Sequence, residues 1–179
     1  MSHFYIHASQ LSQHVGKSDL IQLVEKQIHE LGFIVKEKND TRPWGVYFTF
    51  QINSLPAFIN EFYHHLDIDT TTTSLSPKLL IIDPGHRLSW QYHNRRVNIW
   101  KVIAGEVAIP MNWTDREMPG LHYYPGEVVT IPSGMRHRLT ALDTWAIIAE
   151  IWQHTDPHNL SNEEDIIRLS DDYGRADTS

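Results

Sequence analysis

The chain contains no cysteine. Disulfide frameworks, thiolate zinc sites and cysteine nucleophiles are therefore excluded. No apolar run approaches the roughly 18 residues needed to span a bilayer. The first ten residues, MSHFYIHASQ, lack the basic segment and apolar core of a secretory leader. The expectation is a cytoplasmic protein with no membrane partner. Basic residues are also scarce. Fifteen Lys and Arg face 22 Asp and Glu, a net charge of −7. Phosphate backbones demand a basic face, so no nucleic-acid partner is expected. A local basic pocket for a small ligand remains open. Internal repeats are absent, and the short run Thr70 to Thr73 is the one low-complexity stretch.

What is present is the composition of an ordinary globular domain: 179 residues, 41% hydrophobic and 11% aromatic. The first third reads as partly helical. Leu20, Ile21, Val24, Ile28 and Leu31 share one helical face, with Ser18 as cap and Gly32 as stop. A second, shorter helix is predicted from Pro56 to Leu66, with a strand between the two from Trp44 to Ile52. From Lys78 onward, short β-rich runs alternate with turn residues: KLLII, RLSWQYH, VNIWKVIAG, EVAIPM, EVVTIPSG and TWAIIAEIW. This rhythm predicts an antiparallel sandwich or barrel rather than βαβ units. The organisation expected is one structural domain in three parts. Residues 1–77 form an extension of two helices and a strand, 78–153 form the barrel, and 154–179 form a polar tail wrapped on its surface.

Two segments stand out by spacing. In the first, Gly85 is followed after five residues by Gln91, then at one, four and six intervening residues by His93, Asn98 and Gly105. In the second, Gly126 is followed after five residues by Pro132, then by Gly134 and, after two intervening residues, His137. Gln91 and His93, two apart on a strand, point to one face, which Arg87 and Ser89 share by parity. Asn98 lies across a hairpin from them, and Pro132-x-Gly134 is a turn signal just before His137. Four side chains able to offer a lone pair can thus converge inside a barrel. Imidazole and amide oxygen suit divalent zinc, manganese, iron or nickel.

These paired segments resemble the two motifs of the cupin superfamily. More narrowly, Arg42-Pro43-Trp44-Gly45, Pro84 to Ser89, Gln91-x-His93, Ile131-Pro132-x-Gly134-x-x-His137-Arg138-Leu139, and Glu164 to Arg175 resemble the type II mannose-6-phosphate isomerase domain. That domain also occurs at the C-terminus of fused mannose-1-phosphate guanylyltransferases. The resemblance runs from Arg42 to about Arg175, interrupted near residues 52–72. It departs from the family at Asn98, where the family has glutamate.

The resemblance implies an all-β cupin core, a double-stranded β-helix or jelly-roll barrel, with an N-terminal helical extension. It implies a metal-dependent aldose–ketose isomerase acting on a sugar phosphate. Gln91, His93, Asn98 and His137 would be the metal site, Arg87 and Arg138 the substrate contacts, and Glu150 with Arg87 the catalytic pair. The alternative is a non-catalytic sugar- or sugar-phosphate-binding cupin with a degenerate metal site. Gln91 and Asn98 equally suit barrel hydrogen bonds, and Arg87 equally suits a salt bridge with Glu150. Arg95 and Arg96 read as a solvated hairpin at the rim. Sheet edges that need covering predict a homodimer.

Overall fold

The computed structural model describes residues 3–71 and 74–175; Thr72 and Thr73 of the threonine run, and the last four residues of the tail, lie outside them. Among the described residues are two α-helices, α1 (Lys17–Glu30) and α2 (Leu55–Phe62), besides two short 3₁₀ turns. In chain order the strands are β1 (Val35–Asn39), β2 (Gly45–Phe50), β3 (Leu75–Ile82), β4 (Trp90–Tyr92), β5 (Arg96–Ala104), β6 (Val107–Ile109), β7 (Met111–Asn112), β8 (Leu121–Tyr123), β9 (Val128–Ile131), β10 (Arg136–His137), β11 (Thr140–Ala141), β12 (Ala146–His154) and β13 (Ile167–Ser170). Among the described residues no helix is long and apolar enough to cross a membrane.

The predicted apolar face of α1 is the buried one, carrying Leu20, Ile21, Val24 and Ile28. Gly16 rather than Ser18 stands at its N-cap. At the other end, Phe33 N–H reaches Ile28 O and Gly32 N–H reaches His29 O, with Gly32 at φ 73°. These crossed bonds close the last turn and need a left-handed residue at position 32. Pro56 sits in the first turn of α2, where its missing N–H costs nothing.

One sheet has strand order β1-β2-β3-β12-β5-β9 and is antiparallel throughout. Facing it are a sheet of order β13-β4-β10-β7 and one of order β11-β6-β8. The large sheet is buried on both faces. Leu79, Ile81, Ile147, Ala149 and Ile151 pack against α1, α2 and a phenylalanine cluster. Leu80, Ile82, Ala146 and Ile148 point the other way, into the barrel. This explains why KLLII and AIIA are apolar at every position instead of alternating. Tyr63, just past α2, donates its hydroxyl to Ala149 O at 2.7 Å and fixes the helical layer to β12.

The sheet does not begin at residue 78. β3 starts at Leu75, and β1 and β2 extend the same sheet back to Val35, so the N-terminal segment supplies two strands rather than one. β1, of sequence VKEKN, is an exposed edge strand whose lysines and glutamate guard it against pairing with another chain. That polarity is what hides it in the sequence. The tail likewise adds a strand, β13, to the opposite sheet.

Candidate functional site

Strand register assembles the site row by row. Glu150 pairs with Lys78 on one side and Trp100 on the other, and Trp152 pairs with Asn98. Across the barrel, Gln91 pairs with both His137 and Arg168. Gln91, His93, Asn98 and His137 are all buried and meet at one end of the barrel, with the two imidazole centroids 5.0 Å apart.

Their hydrogen bonds are specific. His93 Nδ1–H donates to Asp165 O at 2.6 Å, and His137 Nδ1–H donates to Met135 O at 2.9 Å. Each ring therefore turns an Nε2 lone pair into the barrel. Both lone pairs are taken. Arg96 Nη2 donates to His93 Nε2 at 3.1 Å, with Gln91 Nε2 at 3.4 Å, and Asn98 Nδ2 faces His137 Nε2 at 3.4 Å. The amide oxygens are engaged as well. Asn98 Oδ1 accepts from Arg96 Nε at 3.1 Å, and Gln91 Oε1 accepts from Ser89 Oγ at 2.5 Å. Because guanidinium can only donate, the orientation of the Asn98 amide is fixed by this bond.

Arg96 is thus the hub of the site, not a rim residue. It is 5% exposed, and its guanidinium lies over the Trp152 ring, 3.8 Å from the centroid. Burial lowers its pKa to about 10, with Glu150, Glu163 and Asp165 pulling the other way, so it stays charged at neutral pH. Arg96 lies two residues before Asn98 on β5 and so shares its inward parity. That signal was present in the sequence, but the hairpin context pointed to solvent. Burial also drives both histidines toward the neutral form. His137 falls to about 4, and His93 well below its ordinary value, through desolvation and then the Arg96 charge.

A divalent ion does not fit this arrangement. An ion about 2.1 Å out along the His93 Nε2 lone pair would lie about 1 Å from Arg96 Nη2. Among the described residues no three His, Asp or Glu side chains gather to replace that set.

The remaining predicted residues divide. Glu150 is buried, lines the same cavity and accepts from Trp100 Nε1 at 2.7 Å. Arg87 does not enter the cavity and does not meet Glu150. It forms a two-bond ion pair with Asp172 at 2.6 and 3.0 Å, 43% exposed. β4 begins at Trp90; Ser89 still shares the face of Gln91, but Arg87 lies beyond the strand in an isolated bridge to Thr140, and parity counted back from Gln91 does not hold there. Arg138 is buried but spans Glu117 and Ser170 O, away from the cavity.

The C-terminal tail closes the barrel mouth. Arg95 Nη1 reaches Asn159 Oδ1 at 2.7 Å, and Arg96 Nη1 reaches Ser161 Oγ at 2.7 Å and Asn162 O at 2.9 Å. Asp165 accepts from the backbone N–H of Asn94 and Arg95 and from Ser161 Oγ. Burial would raise the Asp165 pKa, but these bonds more than offset it and the pKa is lowered. Partners some 65–70 residues apart leave no local signal. Asp165→Ala strands three donors and is expected to cost about 2–4 kcal/mol, read by urea denaturation together with faster amide exchange at Asn94 and Arg95. A loss below about 0.5 kcal/mol would mean that this carboxylate does not seat the tail.

Under the tail lies a cavity of about 50 Å³. Its wall carries Arg42, Lys78, Arg96, Arg168 and Arg175 against the carboxylates of Glu150 and Glu163. Lys78 Nζ is bonded to Glu163 Oε1 at 2.6 Å and sits 4.1 Å from the Tyr47 ring centroid. The indole N–H groups of Trp44 and Trp152, both lining this cavity, are buried with no hydrogen-bond partner.

With this architecture in view, comparison with solved structures is decisive for the fold. An oxalate decarboxylase of Bacillus subtilis superposes with a TM-score of 0.54 at 15% identity, over 74% of this chain and 30% of that one. The fold is that of a cupin. The oxalate decarboxylase of Lactobacillus farciminis, solved as a formate complex, gives a TM-score of 0.51 at 15% identity over 74% of this chain and 33% of that one. The chain spans about a third of the length of these two solved chains. No family model and no curated protein matches the chain.

Proposed function

We propose that this cupin binds a small anionic sugar, a sugar phosphate in the first instance, in the barrel mouth beneath the tail. The observation that carries this reading is the pair of partnerless indole N–H groups, on Trp44 and Trp152, among the residues that line the same cavity as Lys78. Each buried unmet donor costs about 1–3 kcal/mol, and both tryptophans line a cavity with more cationic than anionic side chains. Acceptor-rich ligands satisfy such donors, and an anion satisfies the charge. In the closed form, the Glu163 carboxylate stands in for that anion on Lys78. Burial would raise the Glu163 pKa, but Lys78 more than offsets it and keeps the group ionised. A cavity of about 50 Å³ is too small for a sugar phosphate. The ligand therefore displaces Glu163 as the loop of residues 159–166 lifts.

The aldose–ketose isomerase reading is second. Its motif resemblance and the buried Glu150 favour it, but it requires a metal to polarise the sugar carbonyl, and Arg96 stands in that place.

Isothermal calorimetry in the presence of a chelator tests the binding reading. Mannose 6-phosphate is expected to bind and mannose is not. Lys78→Met is expected to weaken binding at least about tenfold, the loss of one charge-assisted contact. If no sugar phosphate or sugar acid binds, or if Lys78→Met binds as wild type does, the reading fails.

A further inference from the structure

We propose that Arg96 is the resident cation of this barrel, holding the place of a divalent metal, so that the site works metal-free. On this view His93 and His137 are hydrogen-bond acceptors. The inference concerns the cation alone and does not depend on which ligand the cavity takes.

Three observations carry it. The first is competition for one lone pair. Asp165 O fixes His93 as the tautomer with Nε2 unprotonated, the form a metal requires. Arg96 Nη2 donates into that very lone pair at 3.1 Å. The second is the amides. Asn98 offers its N–H to His137 and its oxygen to Arg96, so the network leaves it no oxygen aimed at a common centre with the imidazoles. The third is that Arg96 is held from behind. Its Nη1 bonds Ser161 Oγ and Asn162 O, and its plane rests on Trp152. Swinging away to admit a metal would strand each of these partners and leave a guanidinium beside a dication in a partly dry space, where repulsion is stronger than in water.

Arg96 also retains a way to meet a ligand. Of the five guanidinium N–H groups, one on Nε, two on Nη1 and one on Nη2 are used. One Nη2 N–H is left for an acceptor. A planar cation with one open donor suits a single carboxylate or phosphate oxygen, whereas a metal with open coordination positions would take two neighbouring oxygens of a sugar.

The test is metal binding by untagged protein. Wild type is titrated with Zn²⁺ and Co²⁺ by calorimetry and by the visible absorption of Co²⁺, beside His93→Ala/His137→Ala. Wild type and the double variant are expected to be indistinguishable, any bound zinc being held by surface histidines. Arg96→Ala frees the His93 lone pair and releases the Asn98 oxygen, so that the amide can turn away from His137; it is expected to bind Co²⁺ more than about tenfold tighter than wild type, the scale on which a ligand's neighbours tune metal affinity. Asn98→Glu alone is expected to pair with Arg96 and gain no metal. Stoichiometric metal in wild type that is lost in the double variant would overturn the proposal. So would metal affinity in Arg96→Ala no better than wild type, or tight binding by Asn98→Glu alone. The wild-type comparison decides the question even if Arg96→Ala does not fold.

Discussion

Acidification from pH 7 to pH 4 is expected to cost this protein about 3 kcal/mol of stability through His137 alone. The folded-state pKa of about 4 lies below the ordinary 6.5, because burial disfavours the imidazolium, and the Arg96 charge adds to it. Above pH 6.5 the imidazole is neutral in both states and the stability is intact. As pH falls below 6.5, the unfolded chain takes up a proton that the folded barrel refuses, and stability drops until the folded pKa is passed. About 2 kcal/mol should be gone by pH 5. His93, also held well below its ordinary value by burial and Arg96, adds a loss of the same sign. The carboxylates of Glu163 and Asp165, whose pKa values are lowered, extend the loss to lower pH as they become protonated. Urea denaturation at pH 7, 6, 5 and 4, with an NMR titration of the histidine ring protons, measures this. Stability flat between pH 7 and pH 5, or a His137 resonance titrating near 6.5, would show that the imidazole is not sealed.

Gly105→Ala is expected to cost about 3–5 kcal/mol, while Gly126→Ala costs only about 1–2. Gly105 closes the first of the two motifs and Gly126 opens the second, and both have positive φ, 77° and 96°. A methyl group on Gly126 would meet no atom within 4 Å. One on Gly105 would lie 2.2 Å from Trp145 O and 2.9 Å from Ala146 Cα. Those are backbone atoms at the start of β12, so relief requires pulling apart β5 and β12, neighbours in the interior of the large sheet. Denaturation of the two variants side by side separates left-handed strain, common to both, from the backbone collision, present in one. Equal losses would mean that the close approach of Gly105 to β12 is not a constraint.

That contrast marks the boundary of what the sequence carries. Periodicity identified the buried face of α1 at Leu20, Ile21, Val24 and Ile28, since apolar side chains at helical spacing turn inward together; Leu31, the fifth of the set, falls at the C-cap and is half-buried. The apolar runs in β3 and β12 announced strands, while their burial on both faces came from the packing of the helices on one side and the barrel on the other. Strand parity and turn glycines brought Gln91, His93, Asn98 and His137 toward one point, because side-chain direction along a strand and the reach of a tight turn are local properties. Parity placed Ser89 but misplaced Arg87, because Arg87 lies beyond the start of β4 at Trp90, in an isolated bridge to Thr140.

Tertiary structure decided everything that depends on which distant backbone arrives where. The polar edge strand β1 is a strand only because β2 is there to pair with it. The tail is ordered over the mouth because Asp165 and Asn162 meet the hairpin of residues 93–96, a contact between segments with no common sequence signal. The charge state of the centre was decided in the same way. Two imidazoles and two amides read alike as a metal site or a hydrogen-bonded core until a guanidinium, inward by parity but held in place by Ser161, Asn162 and Trp152, takes the lone pair. A sequence can list the donors; only the packed barrel fixes which cation they face, because two positive centres cannot share one lone pair.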